Sequence, residues 1–453
     1  MDQGARDNRL AFDVTHRLVL SIAVPMTLAF MTTPLLGLTG TAVVGRLGQA
    51  ESLAGLAIGA VLFDLIFASF NFLRSSTTGL TAQAYGRRDL HEQQAVFWRA
   101  LLSAIACGVL LLVLSPVLLW LGLKLMGPEG GVADATRTYF SIRILSGPVA
   151  LANYAILGFV LGRGQGKIGL VLQTLINGIN ILLAIALGLG LGWGVSGVAW
   201  GTLLGETVGA VTGLAIVLNE FSGSERPSRS ELLSRQKLGE LFALNRDILI
   251  RTFVLLGAFT LMTRIGSHFG AVTLAANAVL MNFVLISAFY LDGLANAAEQ
   301  ITGRAIGAGY RPAFDRGLRL TMGWSFSLAA IAGLFFLAFG PDIIAALTTS
   351  QEVRSAAESY LPLAAITGMT GALAYLMDGV FIGATWSRDM RNRMLMAFAG
   401  YLIALAIFVP WLGNLGLWLS LNGFLLFRGV FLMMLVKPRA DQTFASQIGR
   451  SAQ

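Results

Sequence analysis

Nine ionisable residues of this chain sit inside stretches that are otherwise apolar: Asp64, Arg74, Arg143, Glu206, Asp292, Glu299, Arg304, Asp378 and Arg428. A charge in an apolar segment of a membrane protein is costly, so it faces a cavity or a partner. Asp292 and Glu299 are seven residues apart, two turns along one helical face. Asp378 belongs to another apolar run of the same half of the chain. Three carboxylates in one half suit a bound Na+ or a shared proton, because burial and mutual repulsion push at least one of them toward titration near neutrality. Pairing with Arg304, Arg428 or helix ends, a purely structural role, is the alternative. On the coupling reading, Asp378→Asn is expected to abolish ion-driven transport while leaving folding intact.

The first half has its own polar candidates. Asp64, Asn71 and Thr78 follow a seven-residue step, which predicts one polar stripe, a water path or a packing seam. Glu206 is a further acid. Pro25 and Pro34 interrupt the first apolar run and predict a bend, either a gate or a static kink. The single cysteine, Cys107, cannot form an intrachain disulfide, and the three histidines are scattered without metal-ligand spacing. No phosphate-binding loop, nucleophile elbow or zincin motif occurs. The expectation is therefore not an enzyme, with no cofactor and no metal other than a Na+ held at Asp378 and Asp292. Without an ATP site, active transport needs an ion gradient.

The elements that position these residues follow from composition. Of 453 residues, 55% are hydrophobic and 12% charged, about half the charge of a soluble domain, so most of the surface faces lipid. A span needs about 20 apolar residues. Twelve runs qualify: 18–43, 53–76, 96–124, 138–162, 168–191, 195–218, 245–265, 274–298, 317–346, 357–384, 393–412 and 414–436. The polar start and the long first run argue against a cleaved signal peptide. Basic residues collect after the even runs (Arg87, Arg88, Arg163, Lys167, Arg226, Arg311, Arg388) and at the termini (Arg6, Arg9, Lys437, Arg439). Positive-inside places both termini in the cytoplasm and accounts for the net charge of +8 without nucleic acid.

An offset of 221 residues lays the second half on the first. Gly45, Leu53, Ala54, Thr81, Ala84, Gly86, Gly147, Gly158 and Gly162 meet Gly266, Leu274, Ala275, Thr302, Ala305, Gly307, Gly368, Gly379 and Gly383. The chain thus divides into an N-terminal six-helix lobe (1–218), a polar cytoplasmic linker (219–242) and a C-terminal six-helix lobe with a short cytoplasmic tail (243–453). An even number of spans per half predicts a parallel repeat and a cleft between lobes. The fold class is an all-α integral membrane protein. At the same offset Asp292, Glu299 and Asp378 meet Asn71, Thr78 and Leu157, so the glycines repeat and the acids do not.

Five stretches resemble the multidrug and toxic compound extrusion (MATE) family, in its DinF-like branch: PLLGLTGTAVVGRLG (34–48), FLRSSTTGLTAQAYG (72–86), ALNRDILIR (243–251), DGVFIGATWSRDMRN (378–392) and PWLGN (410–414). The resemblance spans nearly the whole chain. It implies twelve helices, two lobes, a V-shaped cleft, and export of organic, often cationic or amphipathic, compounds in exchange for H+ or Na+ from a bacterial inner membrane. It also implies a monomer among membrane lipids with small-molecule substrates. Asp378 matches an acid used for cation coupling in the tenth span; Asp292, Glu299 and Glu206 match acids of the DinF pattern. This chain departs where relatives place aspartates, carrying Gly40 and Ala184 instead, with Asn177 and Asn180 nearby. The alternatives are a lipid or lipid-linked glycan flippase, which would gather Arg74, Arg143, Arg304 and Arg428 on one cavity, and a coupling-deficient protein that does not transport.

Overall fold

Without water in the hydrocarbon layer every backbone polar group must be satisfied within the chain, and a sequence of apolar runs meets that requirement as helices. The computed structural model describes residues 10–223 and 225–451, with no side-chain description for 448–451; Arg6 and Arg9 of the charge pattern lie outside the described residues. Among the described residues there is no strand, and twelve helices are long and apolar enough to span a membrane. They are α1 (His16–Gly45), α2 (Ala50–Gly86), α3 (Leu90–Met126), α4 (Gly130–Gly162), α5 (Gly166–Gly190) and α6 (Gly194–Glu220). The second six are α7 (Arg235–Gly266), α8 (Ala271–Gly307), α9 (Arg311–Leu347), α10 (Gln351–Gly383), α11 (Ser387–Leu412) and α12 (Asn414–Gln447). Several run well past the apolar stretch that announces them, because polar turns continue the helix beyond the bilayer.

The chain packs as two compact units. The N-terminal unit is Leu28–Tyr85 with Asp89–Phe242; the C-terminal unit is Ala243–Gln453 with Met1–Thr27 and Gly86–Arg88. The packing division thus falls inside α1, where the sequence division does not. Within the C-terminal unit the early part of α1 lies on α8: a Cβ on Gly293 would meet the carbonyl oxygen of Ala23 at 2.8 Å.

The stretch 219–242 is not an open linker. α6 continues to Glu220, and Phe221 is buried against Phe97 and Phe159. Ser228 and Glu231 form a reciprocal capping box that starts the turn Arg229–Leu232, and α7 begins three residues later. Glu220 is held by Arg163 at 2.6 Å, and Lys237 reaches Glu92 at 3.5 Å. The linker 219–242 thus holds the last residues of α6, the capped turn Arg229–Leu232 and the start of α7.

Three spans break. α1 is interrupted at Thr32, two residues before Pro34, whereas the helix continues through Pro25. Pro34 has no N–H to close that turn. α2 is interrupted at Phe70–Asn71. α5 ends in a π-turn at Ala186–Gly190.

The repeat at offset 221 reappears as geometry. In the N-terminal unit α4 crosses α2 so closely that a Cβ on Gly158 would lie 2.6 Å from the Arg74 carbonyl oxygen, and one on Gly162 would lie 2.7 Å from that of Thr78. In the C-terminal unit a Cβ on Gly379 would overlap the Ala295 carbonyl oxygen, and one on Gly383 would overlap that of Glu299. Ala295 and Glu299 are the residues 221 beyond Arg74 and Thr78. Small residues let helix backbones approach where lipid offers no hydrophobic drive.

We predict that Gly379→Ala and Gly383→Ala each destabilise the protein by about 1–3 kcal/mol, the usual cost of overpacking. Gly400→Ala, with no atom within 4 Å of the added methyl, should be neutral or slightly stabilising. Thermal unfolding of the detergent-purified full chain distinguishes the two cases.

Candidate functional site

The close crossing of α8 and α10 positions the acids of the C-terminal unit. Asp378 precedes Gly379 on α10 and is 5% exposed. Asp292 stands three residues before Ala295 on α8, the residue that Gly379 touches. Two further helices supply positive charge. Arg251 of α7 and Arg428 of α12 both place a guanidinium nitrogen on Oδ2 of Asp378. Arg428 is 1% exposed, and the Arg251 side chain 15%. Asp292 is half-buried and acts electrostatically on Arg251, Arg428 and Tyr375. The Tyr375 ring lies 5.8 Å from the Arg428 guanidinium carbon.

The structure therefore brings Asp378, Asp292, Arg251, Arg428 and Tyr375 together. Glu299 is buried two turns further along α8, beneath Gly383, and its backbone rather than its carboxyl makes the helix crossing. Arg251 was not singled out, because it lies in the polar-to-apolar ramp at the start of α7 and has the look of a residue near a helix end. Tyr375 was legible through the repeat: Tyr154 is its partner at offset 221.

The N-terminal unit has a second charged cluster with different bookkeeping. Arg143 of α4 donates two hydrogen bonds to the Glu206 carboxylate, at 3.0 and 2.8 Å, and lies over the rings of Phe63 and Phe67 at 5.4 and 4.7 Å. Its Nη1 also donates to Ser146. Asn153 donates to the Glu206 carbonyl at 2.9 Å. Asp64 is exposed and within electrostatic reach of Arg143 and Tyr154. Each buried charge here has an opposite charge on it, the arrangement that burial demands.

The stripe Asp64–Asn71–Thr78 does not run as one face. The break at Phe70–Asn71 lies within it; Asn71 accepts from Arg74 Nε at 3.0 Å, and the buried Thr78 hydroxyl donates to the Arg74 carbonyl at 2.9 Å. Asn177 donates at 2.6 Å to the hydroxyl of Thr32, at the break of α1, and that hydroxyl donates to the Ala29 carbonyl at 2.7 Å. Asn180 accepts from Thr202 at 3.3 Å. Gly40, where relatives of the resembled family carry an acid, faces Val198 at 3.3 Å and Leu56 at 3.6 Å. Ala184 is buried, and a Cβ on Gly201 would lie 2.7 Å from its backbone nitrogen.

A third polar knot was missed. Asp247, 3% exposed, accepts from Arg391 at 2.6 Å and from the Ser387 hydroxyl at 3.1 Å, tying α7 to the start of α11.

Comparison with known proteins gives one family model, MatE, which matches twice, at residues 25–186 and 248–410, once in each half. The chain is 37% identical to DNA damage-inducible protein F of Escherichia coli K12 over 91% of this chain and 90% of that protein. It is 24% identical to a probable multidrug resistance protein NorM of Chromobacterium violaceum over 92% of each. Among solved structures, a MOP superfamily transporter from Pyrococcus furiosus superposes with a TM-score of 0.85 at 18% identity, over 98% of this chain and 99% of that one. An outward-facing MATE family multidrug resistance transporter gives 0.85 at 19%, with the same coverage.

The two guanidinium groups on Asp378 change what its substitution should do. Asp378→Asn leaves two buried cations without their shared counter-charge and is predicted to cost about 3–5 kcal/mol. Adding Arg428→Gln should recover part of that loss. A double-mutant cycle on the thermal stability of purified protein reads the coupling.

Proposed function

The chain belongs to the MatE family, the multidrug and toxic compound extrusion transporters, and on that premise we propose that it is a secondary active antiporter. The family consists of transporters rather than enzymes, and the chain is a membrane transporter with small-molecule substrates. The proposed cargo is organic, cationic or amphipathic compounds, exported in exchange for H+ or Na+ by alternating access. The proposed setting is a bacterial inner membrane with both termini in the cytoplasm, the protein acting as a monomer, with no cofactor.

The observation that carries this reading is the convergence of Asp378 and Asp292 on Arg251 and Arg428. Acids are expensive in a bilayer, and a group of them gathered on shared counter-charges supports ion coupling. When Asp292 loses its charge, the two arginines and Asp378 that remain carry a net positive charge. A bound organic cation is then repelled. When Asp292 regains its charge the cluster is neutral again and accepts cargo. Ion and cargo thus oppose each other, as antiport requires. In α1 the break at Thr32, closed by Asn177 through one hydroxyl, supplies a place where a span can bend with little loss of hydrogen bonding. Pro25 and Pro34 frame that segment.

The test is transport by the full chain in proteoliposomes, with a fluorescent organic cation as cargo and an imposed pH or Na+ gradient. Asp292→Asn, purified as a folded protein, should lower gradient-driven flux by about tenfold or more. Flux that ignores both gradients in the native protein would sink the antiport reading.

A further inference from the structure

Asp378 occupies the place in α10 where a coupling cation would be expected, yet its carboxylate already holds cations of the protein's own. Arg251 and Arg428 both contact its Oδ2. A guanidinium stays charged at any pH the protein meets. Asp378 and its two arginines together carry a positive charge that an ionised Asp292 brings only to neutral, so the cluster offers no net negative charge to an arriving metal ion.

The donor set points the same way. An alkali cation gives up its water only for several oxygen ligands at short range. N–H groups occupy Oδ2 of Asp378, and its buried Oδ1, which has no hydrogen-bond partner, is one oxygen where an alkali cation needs several. Nε of Arg251 and both Nε and Nη1 of Arg428 are buried and make no hydrogen bond to protein. These donors add buried positive hydrogens to the cluster and no oxygen ligand for a metal ion.

A proton has no such requirement. It needs no coordination shell, only an acid. Asp292 is partly exposed and stands at the edge of the same cluster. The charged and titratable groups acting with it are Arg251 from α7, Arg428 from α12, Tyr375 and the neighbouring Asp378 from α10, and Tyr290 from α8 itself. Phe326 is the side chain that α9 packs beside Leu291 and Tyr375. From α1 the neighbours of Gly293, the next residue, are Ala23 and Thr27.

We propose that Arg251 and Arg428 select the coupling ion of this unit: as built-in counter-cations of Asp378 they exclude Na+, and the exchanged ion is a proton carried by Asp292. The inference rests on the antiport reading for its meaning, but sodium exclusion is measurable without transport. Arg251, the more accessible of the two, is the residue whose removal opens the site most.

The experiment has two arms. Saturable binding of radioactive Na+ to the detergent-purified full chain is compared with an N-methylglucamine control at constant ionic strength. Proteoliposome flux of the fluorescent cation is measured under a pH gradient and, separately, under a Na+ gradient at fixed pH. The native protein should bind no Na+ in the millimolar range. Its flux should rise about tenfold with the pH gradient and change less than about twofold with Na+. Arg251→Gln and Arg428→Gln should each gain Na+ binding, Arg251→Gln the more strongly. Saturable Na+ binding by the native protein, or flux driven by its Na+ gradient, overturns the proposal. So does a failure of both variants, shown to be folded by their melting and elution profiles, to gain any sodium response. If neither variant folds, sodium binding by the native chain decides alone. Loss of flux under both gradients with no sodium binding would count against antiport, not against sodium exclusion.

Discussion

The contact on which the rest depends is a helix backbone pressed against a glycine. In each unit two glycines, one turn apart, let one span reach the carbonyl oxygens of another: Gly158 and Gly162 of α4 against α2, Gly379 and Gly383 of α10 against α8. No side chain larger than hydrogen fits there. The consequence is positional. Residues beside the glycines are carried down against the partner helix whatever their chemistry. In the C-terminal unit that residue is Asp378, three residues after Tyr375; in the N-terminal unit it is Leu157, three residues after Tyr154. A duplicated scaffold thus offers two equivalent places, and the sequence has put an acid in only one.

The two units then settle their charge in different ways. Arg143 and Glu206 meet as a bidentate pair, and two aromatic rings close over the guanidinium. Such geometry fixes a cation rather than frees it. In the C-terminal unit two guanidinium groups share one oxygen of one carboxylate, which leaves part of their hydrogen-bonding capacity unused by protein. Gly40 and Ala184 complete the contrast. Both lie where α1, α2, α5 and α6 pack, Gly40 facing Val198 and Leu56 and Ala184 having Gly201 against its backbone.

Local features of the sequence were enough for the architecture. Twelve apolar runs became twelve helices because a bilayer leaves a backbone no other choice, and the glycine register survived as the same crossing twice. What was hidden depends on long-range pairing or on hydrogen bonds that override composition. The polar run 219–242 reads as loop by residue type, yet Ser228 and Glu231 cap a turn within it and α7 begins at Arg235. The step Asp64–Asn71–Thr78 assumes an unbroken helix, and the break at Phe70–Asn71 removes that assumption. Arg251 was hidden for a third reason. Its partner Asp378 is far along the chain, and nothing in the spacing of either residue announces the other.

The cost of the C-terminal cluster is itself informative. Well-packed apolar side chains hold helices together at least as firmly as a buried ion pair does, since the pair must first be stripped of water. Four helices meet at Asp378, Asp292, Arg251 and Arg428, and leucines in those positions would join them without desolvating four charges. Glycine crossings already supply the close packing of α8 on α10. The charges are therefore not needed for cohesion. Under the proposed proton antiport they make the stability of the packing depend on the protonation of one half-exposed acid. That dependence is a liability in a static bundle and a requirement in one that must change shape when an ion arrives.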